Sequence, residues 1–141
     1  MTARLRYDDV EAGAALPAQR FPIRRVDLVR YCGASGDFNV IHWNERSARD
    51  VGLPDVIAHG MLTMAEAVRV VTDWAGDPGA VVEYAVRFAR PVVVADGAGA
   101  LLEVGGVVED KLGDGRVVVA LTATVGGEQV LQNARAVVRL A

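Results

Sequence analysis

The most restrictive pattern in the sequence lies at residues 60–75, where apolar side chains occupy most of a helical circumference. These side chains are Met61, Leu62, Met64, Ala65, Ala67, Val68, Val70, Val71 and Trp74. The polar residues between them, Thr63, Glu66, Arg69 and Asp73, leave only a narrow stripe. A helix of this kind is normally buried on most sides. We therefore predict a central helix, ended by Asp77-Pro78-Gly79, that the rest of the protein or a partner surrounds.

The chain after Gly79 has the twofold alternation that is typical of β-strands. Strands are predicted around residues 84–88, 102–108 (interrupted by Gly105-Gly106), 117–125 and 130–140. In the last of these, one face carries Val130, Ala134, Ala136, Val138 and Leu140. Asp114-Gly115 and Gly126-Gly127 indicate tight hairpin turns, since such turns need positive φ. An antiparallel meander after one apolar helix predicts an α+β fold in which a sheet curls around that helix.

The first half of the chain has a weaker pattern. Residues 1–20 are mixed in character and lead to a short predicted strand at residues 19–23. Helical spacing of Val26, Val29 and Cys32 predicts a helix over residues 24–33, with Gly33 as its C-terminal cap. A second short helix is predicted from residue 43 or 44 up to Gly52. Residues 34–42 are therefore expected to form a loop between two helices.

Composition limits the class of protein. The 141 residues, 52% of them hydrophobic, suffice for one core, so residues 1–141 are predicted to form a single domain. A net charge of −3 without charged blocks predicts no binding to nucleic acid or to a membrane surface. The single cysteine and an N-terminus unlike a signal peptide predict a soluble, cytoplasmic protein.

Three polar residues of complementary chemistry lie close together in residues 31–42. Asp37 and His42 could serve as an acid/base couple, because an imidazole titrates near neutral pH and a carboxylate can hold or accept a proton. Asn39 lies between them and could orient either group by hydrogen bonds. Alternatively, Asp37 and Asn39 are turn or helix-capping residues and His42 is a partly buried structural histidine. The residues alone leave both interpretations open.

Gly60 precedes the apolar helix, where unpaired backbone N–H groups and the helix dipole could stabilise an oxyanion. It could equally be a glycine that only permits tight packing. Nothing in the spacing distinguishes Ser35 from a turn serine, Cys32 from a core residue, or Glu66 from a solvated helix residue. No metal site is predicted, since the two histidines lack a metal-ligand spacing.

Residues 31–42, together with Ala58-His59-Gly60-Met61-Leu62, resemble the hydratase motif of the MaoC-like dehydratases. That family includes (R)-specific enoyl-CoA hydratases and 3-hydroxyacyl-ACP dehydratases. The resemblance covers nearly the whole chain. It is nearest to the HadB-type subunit of the actinobacterial (3R)-hydroxyacyl-ACP dehydratase, through the strings W-N-E-R after His42, A-H-G-M-L-T-M, W-A-G-D-P-G-A-V and A-L-T-A-T-V-G-G.

The resemblance implies a hot dog fold and reversible hydration of trans-2-enoyl thioesters of CoA or ACP to (3R)-3-hydroxyacyl thioesters, in fatty-acid-type metabolism. Asp37 and His42 match the family's catalytic pair, and Gly60 matches the backbone donor for the thioester carbonyl. Asn39 matches the supporting asparagine, and we assign Ser35 and His59 supporting roles. Neither a metal nor a cofactor is implied.

The resemblance also bears on partners and on alternative functions. Hot dog domains usually pair, so we expect a homodimer or a heterodimer with a related subunit. One departure is Val40, where the family commonly has proline. Two other functions remain open: a non-catalytic acyl-binding partner subunit, and a thioesterase that uses Glu66.

Overall fold

The predicted apolar helix is present as α3 (Gly60–Ala75) in the computed structural model, which describes residues 4–141. Gly76 ends it in the left-handed conformation, φ 71°. One face is fully buried, formed by Thr63, Ala67, Val70, Val71 and Ala75. Most other residues of the helix are partly buried, among them Leu62, Val68 and Trp74, and the exposed stripe consists of Met61, Ala65, Arg69 and Asp73. The expected burial on most sides is therefore confirmed. Thr63, expected in the polar stripe, lies on the buried face instead.

Five antiparallel strands form the sheet that covers α3. They are β1 (Ala15–Ile23), β2 (Val81–Phe88), β3 (Ala100–Lys111), β4 (Arg116–Val125) and β5 (Glu128–Arg139). The order across the sheet is β1-β3-β4-β5-β2. The α+β hot dog fold expected from the sequence is thereby confirmed. Its buried residues make one continuous core between sheet and helix.

Only β3, β4 and β5 form the predicted meander. Both hairpins are confirmed, and Gly126-Gly127 forms the predicted two-residue turn. Asp114-Gly115 instead belongs to a longer connection over residues 112–115, in which Gly113 and Gly115 have positive φ. The meander does not include β2, which pairs with β5 at one edge, because residues 89–99 carry the chain across to β3 beside β1.

Two details of the strands also differ from the sequence pattern. Gly105-Gly106 does not interrupt β3, since Gly106 provides room for the Leu121 side chain, which would lie 3.1 Å from a Cβ at that position. In β5 the predicted apolar face is buried, and Leu131 joins it. The extra buried residue reflects an irregularity at Asn133, whose φ is 48°.

Two helices precede α3, and they place the loop that carries the candidate site. Helix α1 (Arg25–Ser35) buries Leu28 and Cys32, whereas Val26 and Val29 are exposed, contrary to the predicted face. Its cap is Gly36 (φ 76°) rather than Gly33, which lies inside the helix.

Helix α2 (Glu45–Asp50) begins after Asn44, whose side chain accepts a hydrogen bond from the Ser47 N–H. Short 3-10 turns lie at Tyr7–Asp9, Val40–His42 and Pro78–Ala80. The polar lead-in predicted for residues 1–20 therefore contains one such turn and the start of β1, while residues 1–3 lie outside the described part. No helix within residues 4–141 is long and apolar enough to cross a bilayer.

Candidate active site

The loop between α1 and α2 is ordered by a relay of short-range hydrogen bonds. Ser35 Oγ donates to Tyr31 O (2.6 Å) and accepts from the Asp37 N–H (3.1 Å). Asp37 Oδ1 accepts from the Asn39 N–H (3.1 Å), and Asn39 Oδ1 accepts from the Ile41 N–H (3.3 Å). The interpretation of Asp37 and Asn39 as turn residues is therefore correct for one side-chain oxygen of each, the Oδ1 atom. It leaves Asp37 Oδ2 free of the turn.

That remaining oxygen faces His42. Asp37 Oδ2 lies 3.9 Å from His42 Nε2, which is too long for a direct hydrogen bond. His42 Nδ1 lies 2.7 Å from the Ile57 carbonyl oxygen, so Nδ1 carries the proton and the Nε2 lone pair is available. The His42 residue is 7% exposed, whereas the Asp37 side chain is 55% exposed. The pair therefore joins a fixed, buried base to a carboxylate that solvent or substrate can reach.

His59 lies directly behind this pair and is 2% exposed. Its ring stacks on the His42 ring with centroids 3.7 Å apart and planes inclined by 21°. Its Nε2 lies 3.1 Å from the Asp37 carbonyl oxygen and 3.6 Å from Cys32 Sγ. Burial lowers the pKa of His59, and the backbone bond to Asp37 opposes that change only in part. The neutral form of His59 is therefore favoured.

Three possible metal ligands lie within 4.8 Å of one another, on Asp37, His42 and His59. The sequence spacing did not reveal that His59 would join the other two. Their orientation does not suit a metal ion. Nitrogen lone pairs lie in the plane of each imidazole, so two stacked rings direct them side by side rather than toward one point. The donor set fits proton transfer better than metal binding.

Gly60 is the first residue of α3, so its N–H has no acceptor within the helix. The Phe88 ring lies against it, and a Cβ at this position would lie 3.0 Å from two ring carbons. Gly60 and Phe88 also line an open pocket of about 340 Å³, together with Thr63 and residues of the segments 57–58, 89–92 and 130–131. Neither Asp37 nor His42 lines this pocket. The Ile57 segment separates the two features, because it both lines the pocket and holds His42.

The other two candidate groups, the Cys32 thiol and the Glu66 carboxylate, are less suited to catalysis. Burial raises the pKa of the Cys32 thiol, with a further contribution from Asp37, so the thiolate nucleophile is disfavoured. Glu66 pairs with Arg69 at 2.7 Å. It stands six residues along α3 from Gly60, which is roughly 9 Å of helix.

Two further contributors to the site, the Ile57 carbonyl and Phe88, were not expected from the sequence. A backbone oxygen is present at every residue, and a phenylalanine in a strand has no distinguishing pattern. No signal in the sequence could therefore have singled out either one.

A hot dog sheet around a central helix, with an Asp–His pair held beside the N-terminal end of that helix, defines the class of this protein. Residues 10–127 match the family described as the MaoC like domain. The chain belongs to this family, in agreement with the resemblance of its motifs.

Individual relatives agree with this assignment. The (R)-specific enoyl-CoA hydratase of Rhodospirillum rubrum is 30% identical over 127 residues, 89% of this chain and 85% of that protein. The 3-hydroxyacyl-thioester dehydratase X of Mycobacterium tuberculosis is 42% identical over 83 residues, 59% of this chain and 29% of that protein. A solved MaoC-like dehydratase is 42% identical, with a TM-score of 0.94 over 98% of this chain and 43% of its own. The chain thus spans less than half the length of the last two relatives.

Proposed function

We propose that this domain catalyses the reversible addition of water to a trans-2-enoyl thioester, which forms the (3R)-3-hydroxyacyl thioester. The observation that carries the proposal is the 3.9 Å approach of Asp37 Oδ2 to His42 Nε2, behind which His42 Nδ1 is held by a backbone carbonyl. The names of the Rhodospirillum rubrum and Mycobacterium tuberculosis relatives support it, since one is a hydratase of enoyl-CoA and the other a dehydratase of 3-hydroxyacyl thioesters.

In the hydration direction, a water molecule bridges Asp37 Oδ2 and His42 Nε2, which are too far apart to bond each other directly. As its oxygen attacks C3, one proton passes to the pair, and a proton from the pair reaches C2 on the same face. The net change is the addition of one water across the double bond. The two groups act as a coupled unit, so the roles of acid and base belong to the pair.

Gly60 receives the charge that develops on the thioester oxygen. Its N–H lies at the N-terminal end of α3, where the helix dipole favours negative charge. A backbone donor of this type lowers the barrier by roughly 3 kcal/mol. The adjoining pocket of about 340 Å³ is lined mainly by apolar residues and takes part of the acyl thioester.

The carrier and the assembly belong to the same proposal. The substrate is an acyl-CoA or acyl-ACP, and the domain works in the cytoplasm as a homodimer or beside a related hot dog subunit. A HadB-type role, in which the partner supplies part of the acyl channel, is the narrower form of this proposal. Exposed apolar residues near the site, among them Phe38, Trp43 and Met61, support a partner surface there.

Of the alternatives, a thioesterase that uses Glu66 has little support, because this carboxylate is paired with Arg69 and lies away from the helix end. A non-catalytic acyl-binding subunit would not require both Asp37 and His42 in a facing arrangement. The hydro-lyase function therefore accounts for more of the observed geometry.

The test is loss of ultraviolet absorbance when the protein is added to trans-2-butenoyl-CoA and to a longer enoyl thioester, with and without a co-expressed partner. We expect Asp37→Asn and His42→Gln each to lower kcat/KM by at least about 100-fold, since each removes a proton-transfer group. Glu66→Gln is the matched control and should retain activity. Activity that survives in the Asp37 and His42 variants would refute the proposal, and release of free thiol without hydroxyacyl product would favour the thioesterase.

A further inference from the structure

His59 contacts both members of the pair from outside their loop, through the Asp37 backbone and the His42 ring. Asn39, within the loop, bonds the Asp37 carboxylate and the His42 backbone N–H. We propose that His59 is the positioning residue that holds Asp37 and His42 at their working separation and ties both to the Gly60 end of α3. The inference rests on the proposed function and adds a role for a residue that contacts no reacting atom. Two contacts and the charge state of the ring carry it.

The first contact anchors the Asp37 loop. The loop's other hydrogen bonds are mainly local, between Ser35, Asp37, Asn39 and their near neighbours. His59 Nε2–H donates instead to the Asp37 carbonyl oxygen across 22 residues of sequence. The backbone of Asp37, whose carboxylate is exposed, is thereby anchored to His59, which is 2% exposed. Removing the bond leaves Asp37 held by local hydrogen bonds, through Asn39 to the His42 backbone N–H, and without an anchor to the buried end of α3.

The second contact limits rotation of the His42 ring. The Ile57 carbonyl fixes the direction of Nδ1 within the ring plane, but one hydrogen bond does not prevent the ring from tilting. The stacked His59 ring, 3.7 Å away, opposes that tilt from one face. Tyr31 supports His59 in turn, with ring centroids 4.7 Å apart. The Nε2 lone pair of His42 is therefore kept aimed toward Asp37 Oδ2.

The third element is the charge state of His59. Because Nε2 carries the proton donated to Asp37, Nδ1 is an acceptor, and it is buried with no hydrogen-bond partner among residues 4–141. Protonation would add a buried N–H without a partner and a positive charge against His42. The groups that face the ring are Asp37, His42, Tyr31 and Cys32. Burial keeps the pKa of His59 low, so this ring acts as a neutral spacer rather than as a second base.

His59 also immediately precedes Gly60 and is the N-cap residue of α3. One rigid residue thus contacts the acid/base loop, stacks on the buried base and is covalently joined to the proposed oxyanion donor. A displacement of about 1 Å between reacting groups can lower a rate about 100-fold. The proposed role is therefore large enough to measure.

The kinetic test separates the two contacts. His59→Phe keeps a stacking ring but loses the bond to Asp37, and His59→Gln keeps an N–H donor but loses the ring. We expect each to lower kcat by about 10-fold, and His59→Ala to lower it by about 100-fold, with KM changed less than about threefold. Assays run well below the unfolding midpoint of each variant, with circular dichroism as the check on folding.

Tyr84→Phe is the matched control for a general loss of stability. It removes a partly buried hydrogen bond elsewhere, from the Tyr84 hydroxyl to the Met64 carbonyl at 2.9 Å, without touching the site. We expect it to lower the unfolding midpoint while kcat stays as in the wild type. If the His59 variants instead follow the same relation, with kcat unchanged in folded protein, the positioning role is refuted.

A second measurement does not depend on activity. Because His42 and His59 are the only histidines, nitrogen NMR of the uniformly labelled protein yields two imidazole spin systems. We expect His59 as the neutral Nε2–H form at about pH 7.5 and, for the neutral form of His42, the Nδ1–H tautomer. A protonated or Nδ1–H His59 would refute the positioning role whether or not the chain is active. A wild type that is inactive toward every enoyl thioester, by contrast, would refute the proposed function.

Discussion

At the scale of single residues, Gly60 has two separate reasons to be glycine. The Phe88 ring packs against its α-carbon, and the same surface lines the pocket beside the proposed oxyanion donor. An added methyl group would therefore crowd a neighbour and also enter the space intended for the ligand. The sequence raises both reasons but does not identify Phe88 as the packing neighbour, since Phe88 lies 28 residues away on an edge strand.

A double variant distinguishes these reasons. Gly60→Ala keeps the N–H donor, so we expect its kcat/KM to fall at least about 10-fold because the Cβ obstructs the thioester. Phe88→Leu in the same protein relieves the contact at 3.0 Å and should recover stability but not activity. Thermal unfolding and enoyl hydration are measured for both single variants and the double variant. Full recovery of activity in the double variant would show that the glycine serves Phe88 packing alone.

Asp37 combines the two roles that the sequence left open, that of a turn residue and that of an acid/base group. Asp37 directs one oxygen into the turn and the other toward His42, so it is at once a turn residue and a candidate proton carrier. Residue type and spacing could not separate these roles. A carboxylate has two oxygens, and their partners are determined by the folded loop.

At the scale of elements, the end of α1 shows how a local rule selects the wrong residue. Both Gly33 and Gly36 are compatible with a helix end, and the apolar spacing that ends at Cys32 favours the first. The helix continues to Ser35, and the left-handed residue is Gly36. The last turn is extended because the Gly36 N–H donates to Cys32 O and Ser35 Oγ donates to Tyr31 O.

Alanine substitution at these two glycines should have opposite effects. Gly33 is helical with open space around the position that a Cβ would take, so Gly33→Ala should raise the free energy of unfolding by about 0.5 kcal/mol. Gly36 has φ 76°, so Gly36→Ala should lower it by about 1 kcal/mol. Urea denaturation followed by circular dichroism measures both. Equal effects of the two substitutions would contradict the position of the cap.

At the scale of the whole molecule, Arg25 joins the site-bearing half of the chain to the segments around the sheet. Its guanidinium donates to Glu45 (2.9 Å) on α2, to Asp55 (2.9 Å) and to the Val94 carbonyl. The side chain is 23% exposed, so these bonds are only partly screened by solvent. Together they hold α1, α2 and the crossing segment 89–99 in one arrangement around the candidate site.

Removing the Arg25 guanidinium should therefore destabilise the folded protein. We expect Arg25→Gln to lower the free energy of unfolding by about 2 kcal/mol, because two carboxylates and a carbonyl lose the guanidinium that bonds them. Arg49 lies 3.7 and 3.6 Å from the two carboxylates, too far to replace those hydrogen bonds. Arg30→Gln on the same helix is the control, since Arg30 is 69% exposed and pairs with Asp27 at 3.4 Å. Its effect should stay within about 0.5 kcal/mol. If urea denaturation gives similar decreases in the free energy of unfolding for both variants, the proposed role of Arg25 is ruled out.

The sequence by itself determined the central helix, the five strands (with β1 too short), the two hairpins and, through the motif resemblance, the family and its candidate pair. These features depend on contacts between near neighbours or on a short string, so periodicity and spacing carry them. The same pattern does not identify what covers α3, because periodicity reports which side chains avoid water but not whether this chain or a partner covers them.

Only the tertiary structure decided the place of β2 beside β5, the contact of Phe88 with Gly60, and the stacking of His59 on His42 with its bond to Asp37. Each of these joins residues that are 17 or more positions apart along the chain. Such pairs leave no periodic signal, because either partner alone is compatible with many environments. Their geometry exists only once the sheet has curved around α3 and brought the two loops to the same end of the helix.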